Sequence, residues 1–370
     1  MKSLTLTTLF AAFLLLPSCK KAVSTTSSTR TGNTASDSTT IYVAGGLFTT
    51  DPTTGATIGY AILWKNGVAT PLTTGYSFGT SIALDGNDVY VGGFMTTSNT
   101  LCRAAYWKNG TAVLLTDGAT NARVTSIAVS GGNVYAAGWT ISSRTGQMVA
   151  NCWLNGVQTT LASDSFYSYA NSIALSGSDV YIAGGFMNGH QDSATVRCWK
   201  NGVALPLTSY PFSYADAVVV NGSDVYIGGV NTTNSGYSNS ATYWKNDEPV
   251  ALATTDFGDQ INAMAVNGSD VYAAGFTNGP NQVLTPAFWK NGSQQPLSGF
   301  TDNAYATGIA VDGQDVYVAG GTNTNIPVAQ NYQALYWKNG SAVQLTFKDY
   351  SSGLYTAGIA IAPAQQILKN

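Results

Sequence analysis

The chain has 370 residues, enough for two average domains or for one large all-β or repeat domain. Only 9% are charged, against about 25% in a typical globular chain, and the net charge of −3 excludes the basic footprint of a nucleic-acid binder. Hydrophobic residues at 44%, with 21 Tyr and 8 Trp, exclude a disordered chain, and a single His (His190) and a single Glu (Glu248) exclude most acid–base and metal chemistry.

The N-terminus reads as a processing segment. Lys2 precedes an apolar stretch from Leu4 to Leu16, too short to span a bilayer and right for the core of a signal peptide. Leu16-Pro17-Ser18-Cys19 then resembles a bacterial lipobox, whose Cys is diacylated and becomes residue one. An ordinary secretory signal with an incidental Cys is the alternative. Residues 20–39 are rich in Ser and Thr and poor in bulky apolar groups, so they cannot bury enough surface to fold. They read as a tether with a reach of roughly 25 Å. The expected organisation is 1–18 signal peptide, 19–39 lipidated Cys and disordered tether, 40–363 folded domain and 364–370 tail.

Seven internal repeats account for the folded part. Tyr recurs at 42, 90, 135, 181, 226, 272 and 317, and Trp at 64, 107, 153, 199, 244, 289 and 337. Each copy reads as four short strands. In the second copy, Thr80 to Leu84 leads through Asp85-Gly86-Asn87 into Asp88 to Gly92; after a polar loop, Arg103 to Lys108 turns at Asn109-Gly110 into Ala112 to Thr116. Asn-Gly between two strands signals a type I′ hairpin, because both central residues need positive φ. Copy five departs with Asn246-Asp247, and copy three has Leu154 where most others have Lys.

Four strands per repeat, seven times over, predict an all-β fold: a seven-bladed β-propeller with four-stranded blades. The first copy starts at Ile41-Tyr42-Val43 and lacks its opening strand, whereas the chain ends with a spare one, Ala357 to Ile361. The C-terminal strand is therefore expected to pair in the first blade and close the ring. Each opening strand carries a large slot (Ile82, Ile127, Ile173, Val218, Met264, Ile309, Ile359) followed by a mostly small residue, as converging inner strands require. Three residues after each repeat Tyr stands a Gly (45, 93, 138, 184, 229, 275, 320), placed for positive φ or for close backbone approach.

The run Tyr-x-Ala-Gly-Gly, as in Tyr42 to Gly46 and Tyr181 to Gly185, resembles the glycine doublet of kelch repeats. Kelch propellers carry their later Tyr and Trp apart, whereas here they are adjacent, as in Tyr106-Trp107. The chain looks like a kelch-like bacterial lipoprotein of Trp-Lys-Asn-Gly propeller units. The resemblance covers 41–362 and implies a fold and a binding role, with no substrate attached. Galactose-oxidase-type propellers share the architecture, but their copper site needs several His.

Short uniform turns should lie on one face of the disc and long irregular loops on the other. The short-turn face collects Lys65, Lys108, Lys200, Lys245, Lys290 and Lys338 beside Asp88, Asp179, Asp224, Asp270 and Asp315, a mixed and solvated surface in which Asp suits a turn role. No Asp-x-Asp-x-Asp run supports calcium, and neither metal nor cofactor is expected. Function in repeat scaffolds tends to sit with the variable loops.

Four residues before each large slot come Phe78, Arg123, Tyr169, Tyr214, Gln260, Tyr305 and Tyr355; two before it come Thr80, Thr125, Asn171, Asp216, Asn262, Thr307 and Ala357. Both sets should ring the mouth of the central channel. Nearby loops add Asp117, Asp164, Asp256, Asp302 and Asp349. Aromatic faces beside Asn, Thr and Asp suit a glycan or a polar peptide. The competing reading is that the tyrosines pack between blades. From these sets the candidate ligand rim is Phe78, Arg123, Tyr169, Asn171, Tyr214, Asp216, Gln260, Asn262, Tyr305 and Tyr355.

His190 lies in a polar loop with no nucleophile-elbow pattern around it, so no catalytic residue is assigned. Cys152 and Cys198 occupy an apolar slot before the repeat Trp and read as buried hydrophobes; Cys102 stands alone in a loop. The expectation is a monomer in the cell envelope, touching membrane through its lipid only, with a glycan or envelope protein as partner. Lys20-Lys21 does not look like an acidic surface-export signal, which favours the periplasmic side of the outer membrane. The alternative is a polysaccharide-acting hydrolase or lyase using Asp residues at the channel mouth; a close carboxylate pair would favour it, and a broad aromatic rim without one would favour binding.

Overall fold

The computed structural model describes residues 39–363 apart from the short segments 51–54, 56, 74, 97–100, 164–166, 188–193, 206, 208, 210–211, 233–238, 254–257, 280–282, 300–302, 327–328, 349 and 351–352. The signal segment, Cys19, the tether, His190, Asp164, Asp256, Asp302, Asp349 and 364–370 therefore lie outside the described residues. Strands run from β1 (Thr40–Thr50) to β28 (Leu354–Ala362) and form seven antiparallel sheets of four, each a blade. Blade two, for example, is β4 (Ser77–Asp85), β5 (Asp88–Met95), β6 (Arg103–Lys108) and β7 (Thr111–Leu114), paired in that order.

The ring closes through the C-terminal strand. Blade one has the order β28, β1, β2 (Thr57–Lys65), β3 (Val68–Pro71), with Thr40 facing Ala362, Ile41 facing Ile361 and Val43 facing Ile359. Closure covers the inner edge of β1 with a strand from the far end of the chain, so blade one gains the innermost strand that the other six blades draw from their own repeat.

Local turn chemistry holds each hairpin. Asn109 has φ +49° and Gly110 φ +84°, and the same pair of left-handed residues recurs at Asn66-Gly67, Asn155-Gly156, Asn201-Gly202, Asn291-Gly292 and Asn339-Gly340. At Asn246-Asp247 the angles are +50° and +76°, so Asp adopts the turn that Gly takes elsewhere. The Asn side chain reaches across the turn: Val89 N–H donates to Asn109 Oδ1 at 2.8 Å, and Val134, Val180, Val225, Val271 and Val316 do likewise to their own Asn.

The core consists of interfaces between blades. Trp244, Val218 and Ile227 of blade five pack against Tyr181, Ala183, Val196 and Cys198 of blade four, and Trp337, Ile309 and Val318 of blade seven against Tyr272, Ala274 and Phe288 of blade six. A large face thus meets a small one, as convergence toward the axis demands. All seven repeat Trp are at most 1% exposed, and burying a side chain of this size is worth about 3 kcal/mol or more. Cys198 is buried within this packing, and burial pushes its thiol up to about 12. Cys102, Cys152 and Cys198 are all free thiols.

The short-turn face repeats one cluster. Lys108 Nζ lies 2.8 Å from Asp88 Oδ2 and 5.2 Å from the Tyr90 ring centre, while Asn109 donates to Asp88 Oδ1 at 2.7 Å. Lys200–Asp179, Lys245–Asp224, Lys290–Asp270 and Lys338–Asp315 reproduce it at 2.7–3.0 Å. Asp88 therefore accepts side-chain donors here, and the backbone-accepting role falls to the Asn. Hydrogen bonds from Lys108 and then Asn109 hold the Asp88 carboxyl below its usual range. In blade three, Asn133 takes the place of the Asp and receives Asn155 Nδ2 at 2.9 Å.

Candidate functional site

Each inner strand contains one extra residue. In blade two, Gly79 pairs with Gly93 and Ser81 with Gly92, so Thr80 is skipped by the ladder. Equivalent slips leave out Thr125, Asn171, Asp216, Asn262, Thr307 and, on β28, Ala357. Such a bulge re-aims a side chain. Here it turns one residue from every blade toward the axis, and these seven positions line a central channel of about 290 Å³.

The recurring Gly explains why the bulge repeats. A Cβ on Gly93 would overlap the carbonyl oxygen of Phe78, and Gly45, Gly138, Gly184, Gly229, Gly275 and Gly320 would meet the equivalent carbonyls of Tyr355, Arg123, Tyr169, Tyr214, Gln260 and Tyr305. None of these seven glycines has positive φ. Of the two reasons anticipated for them, close backbone approach is the one that operates.

The channel residues form a circumferential hydrogen-bonded ring. Thr80 Oγ1 donates to Val124 O at 2.8 Å, and Thr125 makes the same bond to Ala170 O. Asn171 Nδ2 donates to Ala215 O at 3.0 Å and to Asp216 Oδ1 at 2.9 Å. Gln260 Nε2 donates to Asp216 Oδ2 at 2.9 Å, and Asn262 Nδ2 to Ala306 O at 2.7 Å. Each bond joins a blade to its neighbour. Asp216 is the only carboxylate among the described residues lining the channel. Burial pushes its carboxyl up to about 6, against the opposing pull of the two amide donors.

The outer set sits one step above the ring, and each member faces a residue on the next strand of its blade. Phe78 pairs with Phe94, Arg123 with Trp139 and Gln260 with Phe276, whereas Tyr169, Tyr305 and Tyr355 pair with Gly185, Gly321 and Gly46. The second glycine of the doublet makes room for an aromatic ring. A Cβ on Gly185 would strike the Tyr169 phenol, and one on Gly46 would strike the Phe78 ring from blade two. Tyr169 is only 8% exposed and its hydroxyl has no hydrogen-bond partner among the described residues. Its phenol occupies the space over Gly185. Tyr214 pairs with Val230 and is half-buried.

The mouth divides into two arcs. Along blades seven, one, two and three, rings form a chain: Tyr332 lies 4.5 Å from Tyr355, Tyr355 5.9 Å from Phe48, Phe48 5.0 Å from Phe78 in a stacked pair, and Phe78 6.3 Å from Phe94. Arg123 ends the chain, its guanidinium 4.2 Å from the Phe94 ring centre and 5.5 Å from that of Trp139. Burial and then the neighbouring Tyr332 push the Tyr305 hydroxyl up to about 12. The other arc, on blades four to six, holds Tyr169, Tyr214 and Gln260 above the ring residues Asn171, Asp216 and Asn262. Beside it lies a second cavity of about 260 Å³, lined by Val230, Gly258, Asp259, Gln260, Phe276, Asn278 and Leu284.

The rim candidates thus separate. Asn171, Asp216 and Asn262 meet in the channel ring; Phe78, Arg123 and Tyr355 join the aromatic arc; Gln260 bridges the ring and the second cavity. Phe48, Tyr76, Phe94, Trp139 and Tyr332 escaped the sequence reading, which followed only the inner strand. The residue after the recurring Gly would have revealed Phe94 and Trp139, which stand where blades one, four and seven have Gly46, Gly185 and Gly321. Asp117 is exposed and accepts the backbone N–H of Ala119, apart from the channel lining. Among the described residues, no group of three or more His, Cys, Asp or Glu is placed to hold a metal ion.

The fold and this mouth define a closed seven-bladed β-propeller with a channel site at its long-loop end. No protein-family model and no curated protein matches the chain. Among solved structures it is similar to the uncomplexed Pyrococcus horikoshii acylaminoacyl peptidase, at 15% identity and a TM-score of 0.53, over 83% of this chain and 51% of that one. An acylaminoacyl peptidase in complex with Z-Gly-Gly-Phe-chloromethyl ketone matches at 13% identity with the same TM-score and coverage. The β-propeller domain of the Trilobed protease from Pyrococcus furiosus matches at 11% identity and a TM-score of 0.52, over 84% of this chain and 93% of that domain. The chain spans about half the length of the peptidase chains it matches. At these identities the likeness is one of fold, a β-propeller.

Proposed function

We propose that this chain is a kelch-like binding protein of the bacterial cell envelope, held to the membrane by a lipid on Cys19, and that it recognises a glycan or an envelope protein on its long-loop face. The observation that carries the reading is the half-buried aromatic arc from Tyr332 to Phe78 standing beside a polar channel ring. Flat apolar faces next to fixed hydrogen-bonding groups match a sugar, which presents an apolar ring face and hydroxyls at its edge, and equally a polar peptide. The glycosidase alternative requires two carboxylates across a cleft, and the described channel lining offers Asp216 alone.

A glycan array and an envelope pull-down with the full chain test this reading. Phe48→Ala and Tyr355→Ala should each weaken capture at least about tenfold while the fold persists. Capture unaffected by both changes overturns it. The anchor has its own test: palmitate should label the wild-type chain and not Cys19→Ser.

A further inference from the structure

We propose that the channel ring receives a primary ammonium group, so that the ligand of the long-loop face carries a free amine. This rests on the reading of that face as a ligand site and specifies what enters it.

The argument rests on the charge and the hydrogen-bonding groups of the lining. Asn171 uses both amide hydrogens sideways, on Ala215 O and Asp216 Oδ1. Thr80 and Thr125 direct their hydroxyl hydrogens to carbonyls of their own and the next blade. Thr356 donates to Gly320 O, which leaves Thr307 to donate to Thr356 across 3.0 Å. Because the targets of the Asn171 amide can only accept, its orientation is set by chemistry. The lining keeps acceptors in Asn171 Oδ1, Asn262 Oδ1, hydroxyl lone pairs and the open sites on Asp216, since each carboxylate oxygen accepts two bonds, beside neutral donors in the second Asn262 amide hydrogen and the Ser126 and Ser172 hydroxyls.

No Lys, Arg or His is among the described residues lining the channel, and its one charge is negative. The nearest rim cation, Arg123, is stacked on Phe94 and Trp139. The channel therefore holds a negative charge with no cation among its described lining residues to match it, and an ammonium supplies that cation, with three N–H donors on a compact head. A divalent cation fits less well. Calcium sites combine six to eight oxygens with several carboxylates; this ring has one carboxylate, already held by Asn171 and Gln260. A neutral hydroxyl brings one donor and no charge, and a guanidinium's planar fork wants both oxygens of a carboxylate, each of which on Asp216 already accepts an amide.

Calorimetric titration of the full chain with paired probes tests the assignment. Glucosamine is compared with N-acetylglucosamine, and Nα-acetyl-lysine amide with its Nε-acetylated form. The free amine of at least one pair should bind about tenfold or more tightly than its acetylated partner. Asp216→Asn should reduce that preference to about twofold. Whichever pair shows the larger contrast identifies the source as amino sugar or peptide amine.

Equal binding of acetylated and free probes, absence of amine binding, a response to calcium alone, or a preference retained in Asp216→Asn each overturns the proposal. Should the variant fail to fold, a crystal of the wild-type chain soaked with the better amine decides: its nitrogen must lie within hydrogen-bond distance of Asp216, and any other position refutes the assignment. Acetylated glycans captured through Phe48 and Tyr355 with no amine preference would sink this inference and leave the long-loop-face reading intact. Capture indifferent to Phe48 and Tyr355 would sink the latter.

Discussion

The two ends of the propeller are built from the same seven repeats and treat them differently. At the short-turn end, five blades carry the same Lys–Asp pair at 2.7–3.0 Å, and six carry the same Asn bond to a Val backbone. At the long-loop end, the seven bulge positions hold Thr, Asn, Asp and Ala, and the residues above them range from Phe to Arg to Gln. Repetition at one end stabilises turns. At the other end only the backbone repeats, and the side chains are individual. That is the distribution expected when scaffold and recognition are separated along one axis.

Substitutions at five positions sharpen the contrast. The largest effect is expected from Gly93→Ala, because its Cβ collides with the Phe78 carbonyl inside the bulge. A loss of at least about 3 kcal/mol in chemical denaturation should result. Next comes Tyr169→Ala, which empties a buried site over Gly185 and should cost about 3 kcal/mol or more. Tyr169→Phe should be neutral or slightly stabilising, because the hydroxyl it removes is buried without a partner. A large loss in the Phe variant would show that the hydroxyl matters.

Asp216 gives the third effect, through pH. Its folded pKa of about 6 lies above the ordinary aspartate value of 3.8, so between these values the folded chain holds a proton that the unfolded chain releases. This group's contribution is then fully present below about pH 3.8 and falls as pH rises through about 6. The exposed Asp residues of the short-turn end act in the opposite sense: their carboxyls are lowered, so their contribution is lost on acidification. Wild type alone mixes the two trends. The difference between wild type and Asp216→Asn isolates the first, and should move by about 2 kcal/mol in favour of wild type between pH 7 and pH 4. A flat difference would place the Asp216 carboxyl in the ordinary range.

At the short-turn end the effects are smaller. Gly110→Ala meets no neighbouring atom but puts a side chain at φ +84°, and should cost about 1 kcal/mol. A penalty equal to that of Gly93→Ala would erase the distinction between the ends. Smallest of all, Lys108→Met should leave the melting temperature within the scatter of wild type, because the Lys108–Asp88 pair is exposed and solvent screens it. A clear drop would mean that the repeated pairs act as a network.

Blade number, strand order, hairpin turns and the pairing of the C-terminal strand in blade one were all legible in the sequence. Each depends on local chemistry or strict periodicity: Asn-Gly demands positive φ within two residues, alternation reports a strand face, and a missing first strand beside a spare last one leaves a single way to close. The positions around the channel were legible too, because a repeat delivers equivalent residues to equivalent places. What they do there was decided by contacts between blades. Asp216 meets Asn171 and Gln260 across 45 and 44 residues of chain, and Phe48, Phe78 and Tyr355 assemble from β1, β4 and β28. The bulge that turns seven side chains inward is a slip of one residue between paired strands, made possible where glycine lets a carbonyl occupy the space of a Cβ. Sequence alone names the glycine, but only the folded pairing shows which atom fills its vacant volume.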